Sequence, residues 1–144
     1  MFKPTHIMVP TDFSKSSIAA FKQAVELAEQ FSAELHLIHV KTEMEHMPLF
    51  FLDDEKIKEL NTNVTEYVNT QFSDIEEKYA KGVKVNRVIR EGVAYDEILK
   101  ASKELSIDLI VISSKGKNSL EEFFFGSTTE KVVRKSVASV LIVK

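Results

Sequence analysis

The chain has 144 residues, 44% of them hydrophobic and 28% charged, with no cysteine and a net charge of −3 at pH 7. This composition is typical of a soluble globular protein, and we expect residues 1–144 to form a single domain. It excludes disulfides and thiolate metal sites, and the scattered Lys and Arg residues argue against nucleic-acid binding.

The N-terminal segment passes directly into a short apolar strand, His6-Ile7-Met8-Val9, which Pro10 closes because proline cannot donate to a strand ladder. This segment lacks the long apolar run and cleavage site of a signal peptide. No apolar stretch of the chain approaches the length that crosses a membrane. We therefore expect a cytoplasmic protein with no membrane partner.

The next segments alternate between helical and strand periodicity. A first helix, capped by Ser14 or Ser16, is predicted from apolar residues at three- and four-residue spacing: Phe21, Ala24, Val25, Ala28 and Phe31. Residues 35–40 form a second apolar strand. A long helix then begins near Asp53 and ends at Gly82, and its predicted apolar stripe consists of Ile57, Leu60, Val64, Tyr67, Val68, Gln71 and Ile75.

The second half of the chain continues this alternation. Residues 83–90 alternate between apolar and polar side chains, which is typical of a half-exposed edge strand. A helix around residues 98–105 precedes the uniformly apolar strand Leu109–Ile112. A last helix at Thr129–Lys135 leads to the final strand, Val140–Val143.

Regular alternation of strands and helices predicts a mainly parallel, doubly wound sheet with helices on both faces. In such open sheets the ligand crevice lies outside the carboxyl ends of the strands, where the strand order reverses. If the first and fourth strands are neighbours, two loops line this crevice: Pro10-Thr11-Asp12, and Ser113 to Thr128.

The second of these loops has the residues of a phosphate site. Gly126, Ser127 and Thr128 open the last helix, where unpaired N–H groups and the helix dipole favour phosphate oxygens. Gly116 permits close approach of the backbone, and Lys115 or Lys117 adds positive charge. The alternative is an ordinary loop with a Ser or Thr helix cap. A Walker A loop is excluded, because Val111 stands where that motif requires glycine.

The glycine spacing of this loop resembles the nucleotide-binding branch of the universal stress protein family, whose pattern is Gly-x2-Gly-x9-Gly-[Ser/Thr]. Gly116, nine intervening residues and Gly126-Ser127 fit the pattern, and Glu130–Arg134 continues as in family members. The opening Ile7–Asp12 also resembles the family's first strand and acidic turn. Ser113 replaces the first glycine of the pattern, and its Cβ is a candidate obstruction beside the ribose.

The resemblance, which spans nearly the whole chain, implies a five-stranded sheet of order 3-2-1-4-5, similar to the adenine nucleotide alpha hydrolases. It implies an ATP site, with or without Mg²⁺, in which Asp12 and the backbone of Val40 contact adenine, and Pro10 and Ser113 lie near the ribose. By the same resemblance, the residues that bind the phosphates are Gly116, Gly126, Ser127 and Thr128. The expected site also includes Thr11, Lys115, Lys117 and Asn118. From the residues alone, Asp12 has another explanation, as a helix cap or a turn residue.

The final apolar strand, Val140-Leu141-Ile142-Val143, would leave an unpaired edge that a second subunit can cover. Family members commonly dimerise through this strand, so the resemblance implies a homodimer. A covered internal edge is the alternative. An apolar segment, Met44 to Leu52, is interpreted as packing on the long helix, with a lid or a partner surface as alternatives.

Three functions follow from these observations. The first is an ATP-binding stress-response or regulatory module, a homodimer with at most slow hydrolysis, because no motif positions a general base. The second is a nucleotide-free dimeric interaction protein of the same fold. The third is an enzyme such as a phosphatase or a receiver-like domain, which the end of the third strand, Val88-Ile89-Arg90, disfavours. A metal site is not expected, because His36 and His39 point to opposite faces of their strand.

Overall fold

The computed structural model describes residues 1–42, 53–116 and 125–144. Strands and helices alternate along it in the order β1 (His6–Pro10), α1 (Lys15–Phe31), β2 (Glu34–Lys41), α2 (Asp54–Tyr79), β3 (Val85–Glu91), α3 (Ala94–Glu104), β4 (Leu109–Ser113), α4 (Ser127–Lys135) and β5 (Ser139–Val143). None of the helices in these three ranges is long and apolar enough to cross a membrane.

The strands form one five-stranded parallel sheet of order β3-β2-β1-β4-β5, which confirms the predicted doubly wound fold. β1 is central, with Pro10 opposite Ile38 of β2 and Met8 opposite Ile110 of β4. The chain therefore winds outward from β1 in one direction and then returns to its other side. The carboxyl ends of β1 and β4 meet where the strand order reverses, as the crevice requires.

Successive side chains of a strand point to opposite faces, so the sheet separates two apolar cores. One core contains Ile7 and Val9 of β1 and packs against α1 and α2. The other contains Met8 and Ile110 and packs against α3 and α4. Both faces of β1 and β4 are buried, and their apolar sequences satisfy that requirement.

The buried stripe of α2 differs from the predicted one. The buried residues are Val68, Phe72 and Ile75, whereas Tyr67 is 57% exposed. The prediction included Tyr67 and omitted Phe72. Steps of four and three residues place Val68, Phe72 and Ile75 on one side of the helix, and Tyr67 is rotated about 100° from Val68.

His36 of β2 is a buried polar residue near the amino-terminal edge of the sheet. The side chain is 6% exposed, and its Nε2 atom has no hydrogen-bond partner in the described part of the chain. A carboxylate oxygen of Glu34 lies 3.6 Å from this Nε2 atom, and the ring of His6 stacks on the His36 ring with the centroids 6.3 Å apart. Burial lowers the pKa of His36, the Glu34 carboxylate opposes this, and His6 adds to the lowering.

We therefore expect acid to destabilise the protein through His36. The unfolded chain takes up a proton near the ordinary histidine pKa of about 6.5, whereas the folded chain resists it, so stability is undiminished above this pH and declines as the pH falls through the lowered pKa. Urea unfolding from about pH 7 to about pH 5 measures the slope. His36→Gln should flatten it, whereas His6→Gln should reduce it only in part, because His6 has the smallest of the three influences on the pKa of His36. Equal slopes in His36→Gln and wild type would contradict this assignment.

Candidate functional site

Thr11 anchors the turn that follows β1. Its backbone N donates to the Ile38 carbonyl at 2.8 Å, and its hydroxyl accepts from the backbone N of Phe13 at 3.0 Å. The Nδ1 atom of His39 lies 2.8 Å from the Thr11 carbonyl oxygen, and since a carbonyl only accepts, Nδ1 carries the proton. The turn is thereby fixed against β2.

Phe13 holds a strained conformation in this turn, with φ of 65°. A non-glycine residue adopts that conformation only when its surroundings stabilise it. The Phe13 ring stacks on His39 at 4.7 Å and meets Phe72 edge-on at 5.8 Å. This aromatic column ties the turn to α2 and directs the preceding Asp12 toward the crevice.

Asp12, in the loop after β1, faces the loop after β4. Its Oδ1 atom accepts from the backbone N of Ser14 at 3.0 Å, which is the turn contact that the sequence left open, and Ser14 rather than Asp12 caps α1. Its Oδ2 atom lies 3.0 Å from the position that a Cβ on Gly116 would occupy. A Cβ at position 116 would make an unusually tight contact with this carboxylate, which would have to shift by a few tenths of an ångström, and glycine allows the observed approach without that shift.

The exit from β4 is fastened on several sides. The Ser113 carbonyl accepts from the Thr129 hydroxyl at 2.8 Å, and the Ser113 hydroxyl donates to the Lys115 carbonyl at 3.0 Å. The backbone N of Ser114 donates to the Val143 carbonyl at 3.0 Å, and the Ser114 carbonyl accepts from Gly126 at 2.9 Å. These contacts hold the start of α4 beside the end of β4.

α4 begins at Ser127, two residues before the predicted start, with Gly126 as its N-cap. Glycine supplies no capping oxygen, so it leaves the first amides of α4 without a side-chain cap from this position. A Cβ on Gly126 would lie 3.7 Å from the Gly116 N atom, which is ordinary contact. Gly116 and the opening of α4 thus share one small region of backbone donors, beside exposed Ser127 and half-buried Thr128.

Val40 is buried in the core on the α3 and α4 face, so its side chain is structural. Its main chain has a different orientation. The Ile38 carbonyl accepts from Thr11 and the Lys41 carbonyl from Gly92 of the segment after β3, so even-numbered residues of β2 direct their main-chain groups toward β1. At Val40, β1 has already turned away. Its main-chain groups therefore face the crevice side of the sheet.

The fold places most of the expected site residues around the carboxyl ends of β1 and β4: Pro10, Thr11, Asp12, Ser113, Lys115, Gly116, Gly126, Ser127 and Thr128. Lys117 and Asn118 lie outside the described residues, as do residues 44–52. In the described ranges, no three His, Asp or Glu side chains come together as metal ligands.

Sequence reasoning missed three supporting residues, His39, Phe13 and Ser16. Ser16 in the first turn of α1 donates to the Lys115 carbonyl at 3.1 Å, which joins residues far apart in sequence. The sequence signal that pointed to His39 was a histidine within an apolar strand, one residue before Val40. Strand periodicity places His39 on the face of Leu37, where the turn after β1 packs.

Comparisons with known proteins agree with the observed fold and identify its family. A family model described as the Universal stress protein family matches residues 3–144. Universal stress protein MJ0577 of Methanocaldococcus jannaschii is 31% identical over 151 residues, which cover 96% of this chain and 93% of the relative. A solved structure of hypothetical protein MJ0577 matches with a TM-score of 0.85 at 32% identity, covering 99% of this chain and 97% of that one.

A further solved structure is a universal stress protein from Archaeoglobus fulgidus in complex with dAMP. It has a TM-score of 0.65 at 20% identity and covers 99% of this chain and 100% of its own. At this identity the likeness shows the shared fold.

Proposed function

The chain belongs to the universal stress protein family, and from this premise we propose that it binds ATP in the crevice between the loops after β1 and β4 and acts as a homodimeric regulatory module. One observation carries the proposal. Gly116 and the N-cap glycine of α4 bring backbone donors together next to the Asp12 turn. Such donors at a helix N-terminus favour phosphate.

The arrangement gives each part of ATP a group of suitable chemistry. The Asp12 carboxylate and the main chain of Val40 offer acceptors for the amino group of adenine. The amides of Gly116 and of the first residues of α4, Ser127 and Thr128, offer donors for phosphate oxygens, and Lys115 adds positive charge. The N–H of Gly126 itself is bonded to the Ser114 carbonyl. A universal stress protein of the same fold was solved in complex with dAMP, which is an example of an adenine nucleotide held by a protein of this fold.

The described residues also fit Mg²⁺ as a companion of ATP. The hydroxyls of Ser127 and Thr128 are hard oxygen ligands of the kind that Mg²⁺ prefers, and the ion would neutralise phosphate charge at the opening of α4. The same residues serve to bind and orient the nucleotide.

Calorimetric titration with ATP, together with mass spectrometry of any small molecule that co-purifies, tests this function. At an ATP concentration of about 100 times Kd, binding stabilises the folded state by about 2.7 kcal/mol, which raises the melting temperature by several degrees. Adenosine separates the base contribution from that of the phosphates, and UTP controls for non-specific polyanion binding. No heat and no melting shift at millimolar ATP would refute the proposal.

Ser113 supports a second candidate, a nucleotide-free dimeric interaction protein. This residue is 7% exposed and places a Cβ and a hydroxyl where the family pattern has glycine. Under this alternative the purified protein carries no nucleotide, and Ser113→Gly creates ATP binding that the wild type lacks. Under the first proposal the wild type already binds ATP.

The homodimer is proposed to form through β5, which is an edge strand of the sheet. The backbone N of Ser139 donates to the Asp108 carbonyl of the neighbouring chain segment, and the Val143 carbonyl accepts from Ser114. Odd-numbered residues of β5 therefore direct their main-chain groups toward β4, and those of Val140 and Ile142 point outward. Pairing with a second β5 would cover this outward row.

Ile142→Pro should convert the dimer into a folded monomer, because it removes an outward N–H and leaves the bonds to β4 intact. Analytical ultracentrifugation measures the mass, and circular dichroism confirms the fold. Leu141→Pro is the matched control: its N–H faces β4, so this variant should lose stability as well. An Ile142→Pro protein that remains dimeric would place the interface elsewhere.

A further inference from the structure

Five groups from three segments form a hydrogen-bond chain that ends on one carbonyl. The backbone N of Ser17 donates to the Ser14 hydroxyl at 3.2 Å, and the Ser14 and Ser16 hydroxyl oxygens lie 3.2 Å apart. The Ser16 hydroxyl reaches the Lys115 carbonyl at 3.1 Å, and the Ser113 hydroxyl reaches the same oxygen at 3.0 Å. The first turn of α1 and the end of β4 thus converge on the loop after β4.

The direction of each proton in this chain follows from the chemistry of its ends. A carbonyl oxygen only accepts, so Ser16 and Ser113 each give their single hydroxyl proton to Lys115. Ser14 must then donate to Ser16, while it accepts from the backbone of Ser17. The two lone pairs of the Lys115 oxygen are both engaged, and every hydroxyl proton has one assigned acceptor.

Fixing this carbonyl also fixes the amide that follows it. The peptide group between Lys115 and Gly116 is planar, and in its trans form the N–H points opposite to the C=O. The carbonyl is directed toward Ser16 and Ser113. The Gly116 N–H is therefore directed away from them, and the Gly116 N atom lies 3.7 Å from the position of a Cβ on Gly126, on the side where α4 begins.

We propose that Ser113 and Ser16 are positioning residues that aim the Gly116 N–H into the phosphate region by jointly holding the Lys115 carbonyl. This inference rests on the proposed nucleotide site and deepens it. It assigns a purpose to the serine that departs from the glycine pattern: Ser113 contributes to recognition of the phosphates through Gly116, and its hydroxyl is turned away from the ligand.

The test compares the affinities of ATP and adenosine for Ser16→Ala, Ser113→Ala, Ser113→Gly and the double alanine variant. Loss of one hydroxyl should weaken ATP binding by about fivefold to tenfold, the equivalent of one hydrogen bond, and leave the affinity for adenosine unchanged. The fold-loss in ATP affinity of the double variant should be smaller than the product of the two single fold-losses, because both hydroxyls act on one carbonyl. Ser16→Thr, which keeps a hydroxyl, should restore ATP affinity.

A measurement without nucleotide separates this inference from the proposed function. The amide nitrogen of Gly116 belongs to the same peptide group as the Lys115 carbonyl, so its NMR resonance should move in Ser16→Ala and in Ser113→Ala. If this resonance does not move, the claim that Ser16 and Ser113 jointly hold the Lys115 carbonyl is wrong. If the wild type binds ATP and the variants keep its ATP-to-adenosine ratio, only the positioning role fails.

Two further outcomes are distinct. If Ser113→Gly binds ATP more tightly than the wild type, Ser113 obstructs the site and the inference is wrong. If the wild type binds no ATP, the proposed nucleotide function fails, and the role of Gly116 toward phosphate fails with it.

Discussion

Gly126→Asp should abolish the rise in melting temperature that the proposed ATP site predicts for the wild-type protein. Gly126 is the N-cap of α4, with φ of −59° and ψ of 155°, a conformation open to any residue. The new carboxylate would accept from the first amides of α4, occupy the donors intended for phosphate, and add like charge. We expect the loss in ATP affinity to exceed 100-fold, on the order of 3 kcal/mol.

The same substitution should leave the unliganded protein intact. A Cβ at position 126 meets its nearest neighbours at 3.7 to 3.9 Å, and aspartate is a better N-cap than glycine by a few tenths of a kcal/mol. The apo variant should therefore melt at or slightly above the wild-type temperature. Gly126→Ala is the steric control and should keep most ATP binding, and Gly126→Asn separates occupation of the amides from charge. If ATP raises the melting temperature of Gly126→Asp as much as that of the wild type, the first residues of α4 are not part of the ATP site.

Phe72→Ala should cost about 3–5 kcal/mol of unfolding free energy, since the ring is completely buried and its loss leaves a cavity. The ring also supports Phe13 edge-on, at 5.8 Å. The substitution therefore removes packing both from the core and from the strained turn that precedes α1. Urea unfolding measures the change, and an unchanged m-value shows that the denatured state is unaffected.

Tyr67→Ala provides the matched control for Phe72→Ala. It also removes an aromatic ring from α2, but Tyr67 lies on the exposed side of the helix. Its cost should stay within about 0.5–1 kcal/mol. Similar losses in the two variants would mean that burial does not distinguish these positions, contrary to the observed orientation of α2.

Patterns of local sequence predict the sheet, because strands buried on both faces, such as Leu109–Ile112, must be uniformly apolar. The glycine spacing around Gly116 and Gly126 likewise identifies the loop after β4, and the fold brings these two glycines together. The predicted orientation of α2 is wrong. Several apolar residues lie off the buried stripe, and only tertiary packing selects Phe72 over Tyr67.

The hydroxyl contacts were beyond sequence reasoning for a different reason. Ser16 and Lys115 are distant in the chain, and their contact depends on how α1 and the loop after β4 are placed by the sheet. Serine has no periodicity that would reveal such a role. The contact of His39 with Thr11 depends in the same way on the turn that Phe13 adopts.

The position of β1 has a consequence for how the protein is made. β1 leaves the ribosome before the other four strands of the sheet, yet its second neighbour, β4, is synthesised about a hundred residues later. The nascent chain must therefore keep one apolar edge of β1 unpaired through most of translation, a situation that exposes it to aggregation or chaperones. Because the crevice is built from the loops after β1 and β4, the proposed nucleotide site is complete only once β4 and α4 have been synthesised.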